Sequence, residues 1–252
     1  MFFKPLPDLE LMVILSPDKF DRNTEKPFQC LFEKPPVYVM PPNLLSNDMV
    51  NPIPHRNSVL VFEGGTDVNP MMYRQVAGKR TQKPDIERDR HEASYWRMAQ
   101  SVNAASIGVC RGSQFLCVMS GGELIQHVEG HHKDHAMILP DAKKPITLYA
   151  TSTHHQMMNP YVLEPNEWVS YGYAPENIAH GYKDQFNNKI KVWKKWKNWA
   201  DQEIVWFKRT KSLAIQGHPE YFESPDAPFV VYCKHLIHSL IGRAGGHGIY
   251  TP

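Results

Sequence analysis

Residues 107–123 read IGVCRGSQFLCVMSGGE, and the fold of the chain follows from how this stretch turns. The apolar run 107–109 stops at Cys110, and from Arg111 onward the spacing of apolar residues becomes helical. A purely structural cysteine needs no flanking glycines. A strand that ends at Cys110 and a helix that starts at Arg111 make a strained strand-to-helix elbow, the GxSxG turn with sulfur in place of oxygen. Gly108 and Gly112 leave room for the turn and for close contact of helix with strand. The helix N-terminus favours a thiolate on Cys110, and the Arg111 N–H becomes a candidate oxyanion donor. The competing reading is a small buried cysteine whose glycines only punctuate a turn.

Working outward, short apolar runs recur at 11–15, 37–40, 59–62 and 213–216, each bounded by Pro, Gly or Asp. Runs apolar on both faces suit parallel strands covered by helices. Helical patterns lie between them at 85–103, 111–120 and 227–241, the last with Ser224 and Asp226 as candidate caps and Gly242 and Gly245 beyond its end. The alternation predicts an α/β fold: a doubly wound, mostly parallel sheet with helices on both faces. No repeat or linker divides the chain, so it reads as one domain over 1–252, with a flexible tail at 243–252. The proline-rich stretch 21–57 yields no assignment.

Composition excludes several classes. The 252 residues carry 28 Lys plus Arg against 26 Asp plus Glu, a net charge of +2, so no global field draws the protein to nucleic acid or membrane. The N-terminal apolar piece is short and interrupted by Glu10, which fails as a signal peptide or membrane span. Cys30, Cys110, Cys117 and Cys233 show no CxxC spacing, which points to a reducing, cytoplasmic setting and suits a working thiol.

A nucleophilic thiolate needs a base, and the base needs orientation. The HPE at 218–220 follows the run 213–216. Pro219 biases His218 to an extended conformation, where residues two apart face the same side, so Glu220 can fix the imidazole of His218 while the other ring nitrogen faces Cys110. Gly64 and Gly65 follow the run 59–62, and a glycine pair at a strand end lets backbone N–H groups approach a substrate oxygen. Taken alone, each of these also reads as an ordinary turn or a satisfied histidine.

Together the motifs resemble the class I glutamine amidotransferases, and within them the gamma-glutamyl-gamma-aminobutyrate hydrolases and related gamma-glutamyl hydrolases. GVCRGSQFLCVMSGGELIQ resembles that branch's GxCRGxQxxNxxxGGxLxQ, and GGTDVNPMMY its GGxDVxPxxY. Asp85, Arg88, Asp89 and Glu92, the HHQ at 154–156 and HPE also match, in the expected order, over about 59–241, while 1–58 matches loosely. The resemblance implies a flavodoxin-like sheet and a Cys110, His218 and Glu220 triad. It implies an oxyanion hole of the Gly65 and Arg111 N–H groups, and substrate contacts from Gly64, Gln114 and His155. It requires no metal and no organic cofactor. Cys117 stands where the family often has asparagine, and Gly217 replaces the tryptophan of VQWHPE, which implies a differently shaped pocket.

Two stretches remain. HVEGHHKDH at 127–135 has histidines at i, i+4, but Gly130 interrupts the helix that zinc ligation at that spacing needs, so it reads as a loop. Residues 189–207 mix lysines with Trp193, Trp196 and Trp199. Stacking on nucleic acid over 189–199 is one reading. The favoured one is a hairpin with inward tryptophans and solvated lysines. Three functions follow: a glutaminase subunit passing ammonia to a separate synthetase or ligase, since this length leaves no room for a second catalytic domain; a self-sufficient gamma-glutamyl hydrolase; and a catalytically dead binding protein on the same fold.

Overall fold

Alternation within single strands sets the layers of the molecule. In the strand Glu10–Ile14 (β1), Leu11 and Val13 join one apolar cluster while Met12 and Ile14 join another on the opposite face. Strands β3 (Ser58–Phe62) and β9 (Ser212–Ile215) divide their side chains in the same way, while β4 (Ala105–Val109) gives Ala105, Ile107 and Val109 to the first cluster and turns Ser106 and Gly108 to the other face. Both faces therefore need a cover. On one face it comes from helices α1 (Ile86–Ser101) and α2 (Arg111–Met119), through Ala93, Ala99, Phe115 and Leu116. On the other it comes from α3 (Pro228–Leu236), through Phe229, Cys233 and Leu236.

The other strands of the nine-stranded sheet are β2 (Val37–Val39), β5 (His135–Leu139), β6 (Ile146–Ala150), β7 (Trp168–Ala174) and β8 (Asp201–Phe207), and it runs β2-β1-β3-β4-β9-β8-β7-β5-β6, beside two smaller sheets of three and two short strands. Pairing is parallel from β2 to β9 and antiparallel from β9 to β6. The doubly wound α/β sheet is thus as expected, with an antiparallel extension beyond β9. This computed structural model describes residues 3–16, 24–140, 146–176, 178–195 and 198–242, so the expected tail at 243–252 lies outside them.

The helices start for different local reasons. Asp85 caps α1 by accepting the Arg88 N–H at 3.0 Å, and Glu87 and Asp89 sit in its first turn, where the dipole favours negative charge. For α3, Pro228 opens the helix with its missing N–H where none is needed. Ser224 and Asp226 do not cap it: Ala227 is the boundary residue, and the Ser224 hydroxyl accepts the Asp226 N–H instead. The helix also stops at Leu236 and widens into a π turn over Ile237–Ile241. The unassigned stretch holds β2 and one helical turn at Lys26–Gln29.

No helix among the described residues is long and apolar enough to cross a membrane. In the lysine and tryptophan stretch, Trp199 is committed inward: its indole N–H donates to Asp201 at 2.8 Å and its ring lies 4.8 Å from Tyr161. Lys189, Lys191 and Lys194 are exposed, while Trp196 and Lys197 lie outside the described residues.

Candidate active site

Three adjacent parallel strands end at the same edge and deliver the parts of one cleft. Phe62 pairs in register with Gly108, and Val109 with Ile215, so the segments after β3, β4 and β9 emerge side by side. Ligands of such sheets bind outside the carboxyl ends of the strands. The segments are 63–65, Cys110 and 216–220, and they border a cavity of about 240 Å3.

The elbow is strained as the sequence implies. Cys110 sits at φ 50° and ψ −109°, a conformation that an L residue adopts only when its surroundings impose it. Those surroundings need both glycines. A Cβ at position 108 would lie 2.3 Å from the Gly112 carbonyl oxygen, and one at 112 would lie 2.1 Å from that of Phe62. The helix and both strands touch backbone to backbone here, and no side chain fits.

His218 comes to the cysteine from β9. Its Nδ1 lies 2.8 Å from Glu220 Oε1 and its Nε2 lies 3.1 Å from Thr153 Oγ1, with the Cys110 thiol a further hydrogen-bond partner. Tyr221 stacks flat on the imidazole at 4.3 Å. Burial works against charge on His218, but the hydrogen bonds to Cys110 and Glu220 outweigh it and push its pKa up to about 10. His218 is therefore an imidazolium at neutral pH.

The glycine turn is held by a buried arginine. Arg88 donates from Nη2 to the carbonyls of Glu63 at 3.0 Å and Gly64 at 2.9 Å. Because a trans peptide sets N–H opposite C=O, this pulls the Gly65 N–H away from Arg88. Gly65 adopts φ 143°, and a Cβ there would meet Arg88 Nη1 at 2.1 Å. Arg88 Nε in turn donates to Glu92 at 2.8 Å, and Arg111 donates to both Glu92 and Asp89. Burial opposes a charge on Glu92, but Arg111 and Arg88 outweigh it and hold its carboxyl below the usual range. Glu63, also bordering the cavity, has no such pairing: burial raises its carboxyl pKa to about 8.

Gln114 and His155 both border the cavity. Gln114 donates to the Gln156 carbonyl at 3.2 Å, and His155 Nε2 lies 3.0 Å from Asp67. Asp67, Thr153 and Tyr221 were not singled out in the sequence, although Asp67 lies inside the GGTD motif and Tyr221 directly follows HPE. The two departures from the motif lie away from the cavity. Cys117 is fully buried among the apolar side chains of α2, and a Cβ at Gly217 would face the Thr151 carbonyl at 2.9 Å and the Phe229 ring at 3.1 Å. Gly217 therefore makes room for Phe229 behind the sheet edge and does not enlarge the pocket.

Comparison with known proteins bears on the family and the fold. A glutamine amidotransferase-like protein of Lactococcus lactis, YvdE, is 39% identical over 181 residues, 64% of this chain and 65% of its own length. A glutamine amidotransferase from Thermotoga maritima superposes with a TM-score of 0.51 at 10% identity, over 94% of this chain and 96% of the other. The glutaminase domain of the Trypanosoma brucei protein CTPS superposes with a TM-score of 0.51 at 10% identity, over 96% of each chain. These solved structures share the class I glutamine amidotransferase fold with this protein. The profile of the peptidase C26 family matches residues 36–169, more than half of the sequence, and the chain belongs to that family.

Proposed function

We propose that the protein is a cysteine-dependent glutaminase of the amidotransferase type, hydrolysing the gamma-glutamyl amide of glutamine. The observation that carries the reading is Cys110 at φ 50° on the elbow, facing a cavity shared with a His218 whose Nδ1 is 2.8 Å from Glu220. The Cys110 thiolate attacks the side-chain carbonyl carbon, and the carbonyl electrons move to an oxyanion that accepts from the Gly65 and Arg111 N–H groups. Collapse breaks the C–N bond, His218 gives its proton to the nitrogen, and ammonia leaves a glutamyl thioester. Water then attacks the thioester while His218 takes its proton, and glutamate departs with the thiolate restored. A His218 already protonated at neutral pH is suited to the first of these transfers. Gly64, Gln114 and His155 would hold the glutamyl group. The ammonia would pass to a separate synthetase or ligase, a reading supported by the likeness to the glutaminase domain of CTPS.

A second reading, a self-sufficient gamma-glutamyl hydrolase acting on gamma-glutamyl amines or peptides, is favoured by membership of a family named as peptidases and by the sequence resemblance to gamma-glutamyl-gamma-aminobutyrate hydrolases. One assay separates the two: glutamate release by the isolated protein from glutamine and from gamma-glutamyl amines, beside the Cys110→Ala variant. Turnover of glutamine above that of gamma-glutamyl amines supports the first reading, and turnover of the amines alone supports the second. Equal activity of Cys110→Ala would sink both in favour of a dead hydrolase fold that binds without chemistry.

A further inference from the structure

Three histidines, two of them four residues apart, converge on one carboxylate distant in sequence. His131 Nδ1, His135 Nε2 and His154 Nε2 lie 3.2, 3.1 and 3.8 Å from Glu203 Oε1. None of the four residues is more than 5% exposed. Each imidazole gives its other nitrogen to an oxygen: His131 Nε2 to Asp201 at 2.9 Å, His135 Nδ1 to the Lys133 carbonyl at 3.0 Å, and His154 Nδ1 to the Gln156 carbonyl at 2.8 Å. A backbone carbonyl only accepts, so His135 and His154 carry their proton on Nδ1. Asp201 is itself fixed as an acceptor by the Tyr182 hydroxyl at 2.7 Å and the Trp199 indole at 2.8 Å, which leaves the proton of His131 on Nε2.

Three imidazole nitrogens, His131 Nδ1, His135 Nε2 and His154 Nε2, thus face the single oxygen Glu203 Oε1. His131 Nδ1, His154 Nε2 and Glu203 Oε2 are buried with no hydrogen-bond partner. Protons resolve this only in part. Two protons, on His131 and His135, would balance the carboxylates of Asp201 and Glu203 and still leave His154 Nε2 bare against Glu203. A divalent cation resolves it with no proton added.

We propose that His131, His135 and Glu203 form a zinc site, with His154 beside it at 3.8 Å from Glu203. Ligands at about 2.0–2.1 Å in a tetrahedron stand about 3.3–3.4 Å apart, close to the 3.2 and 3.1 Å that separate His131 and His135 from Glu203. Nitrogen with one carboxylate oxygen is a donor set that zinc accepts. The outward hydrogen bonds of His131 to Asp201 and of His135 to the Lys133 carbonyl are the supports that ligating histidines require to fix the tautomer. The cation has a route in, because His154 also borders the cavity. It would also be tied to the cleft, since the Gln156 carbonyl accepts from both His154 and Gln114.

The test is tag-free protein, stripped with a chelator and titrated with zinc alone and with cobalt alone. The expected result is one zinc per chain, and a visible cobalt absorption of tetrahedral intensity with no thiolate charge-transfer band. Glu203→Gln and His135→Gln should weaken zinc binding at least tenfold, while His132→Ala, altered on an exposed neighbour, should bind as wild type. Absence of saturable binding to the wild type overturns the proposal, as does a thiolate band, which would move the metal to a cysteine. Unchanged affinity in a His135→Gln protein with wild-type circular dichroism also overturns it. If both variants misfold, the wild-type cobalt spectrum decides alone.

Discussion

On the elbow side of the cleft, Arg88 and Arg111 meet Asp89 and Glu92, two permanent positive charges against two carboxylates. On the histidine side, His131, His135 and His154 meet Glu203, with Asp201 behind. Both clusters are buried and both support the residues of one cavity. They differ in what closes them. Guanidinium is always charged and donates from every nitrogen, so the first cluster is neutral from side chains alone. Imidazole is neutral or charged according to its partners, so the second takes its balance from whatever binds there. One wall is rigid by composition, and the other is open to adjustment.

Substitutions at the partners of His218 are predicted to act on rate, and those in the arginine cluster on stability. The largest effect is expected for Glu220→Gln. Losing the carboxylate that orients His218 should lower kcat for glutamate release by about 10^3- to 10^4-fold, as loss of an orienting carboxylate does where a histidine must keep one tautomer. The thermal midpoint should stay close to that of wild type, and a large fall in it would move Glu220 to the structural class. Next is Glu92→Gln, which leaves Arg88 and Arg111 with one carboxylate. Breaking a buried pair from one side costs about 3–5 kcal/mol, to be read from urea unfolding. That loss should be the same before and after chelator treatment, since the elbow cluster needs no cation.

A smaller effect follows from the charge on His218. Its ordinary pKa of 6.5 is raised to about 10 in the folded protein, with burial opposing the shift and the hydrogen bonds to Cys110 and Glu220 outweighing it. The folded state thus holds the proton more tightly. This contribution to stability is complete below pH 6.5 and is lost as pH rises through about 10. The difference in unfolding free energy between wild type and His218→Asn should shrink steadily over that window. A difference that stays flat from pH 6 to 10 would show that His218 is not held charged.

The elbow side was legible in the sequence because backbone contact leaves a mark on composition: Gly108 and Gly112 stand where a Cβ would come within 2.3 Å of another chain segment. The parallel strands were legible for a similar reason, since burial on both faces writes an uninterrupted apolar run. The antiparallel extension was not. The strand β6 is mostly exposed, and β7 slips register between Ser170 and Gly172, which breaks the alternation that would announce it. The histidine cluster leaves no such mark, because the carboxylate it meets is not at helical spacing along the chain. Glu203 lies 68 residues from His135 and meets it only through strands folded side by side.

Thr153 offers the finest test, because it sits on the segment the two sides share. Its hydroxyl lies 3.1 Å from His218 Nε2, one residue before His154 and two after Thr151, whose own hydroxyl accepts the His218 N–H at 3.0 Å. Thr153→Val keeps the shape and removes only the hydroxyl. A single hydrogen bond of this kind is worth about 0.5–1.5 kcal/mol, so kcat should fall by about 2- to 10-fold with KM unchanged. A rise in kcat would mean that Thr153 competes with Cys110 for the histidine proton. If the segment 151–156 is set by the cluster behind it, stripping metal should lower kcat of the wild type by a similar factor and add little to the variant, whose contact is already gone. Independent, multiplying losses would separate the two walls of the cleft after all.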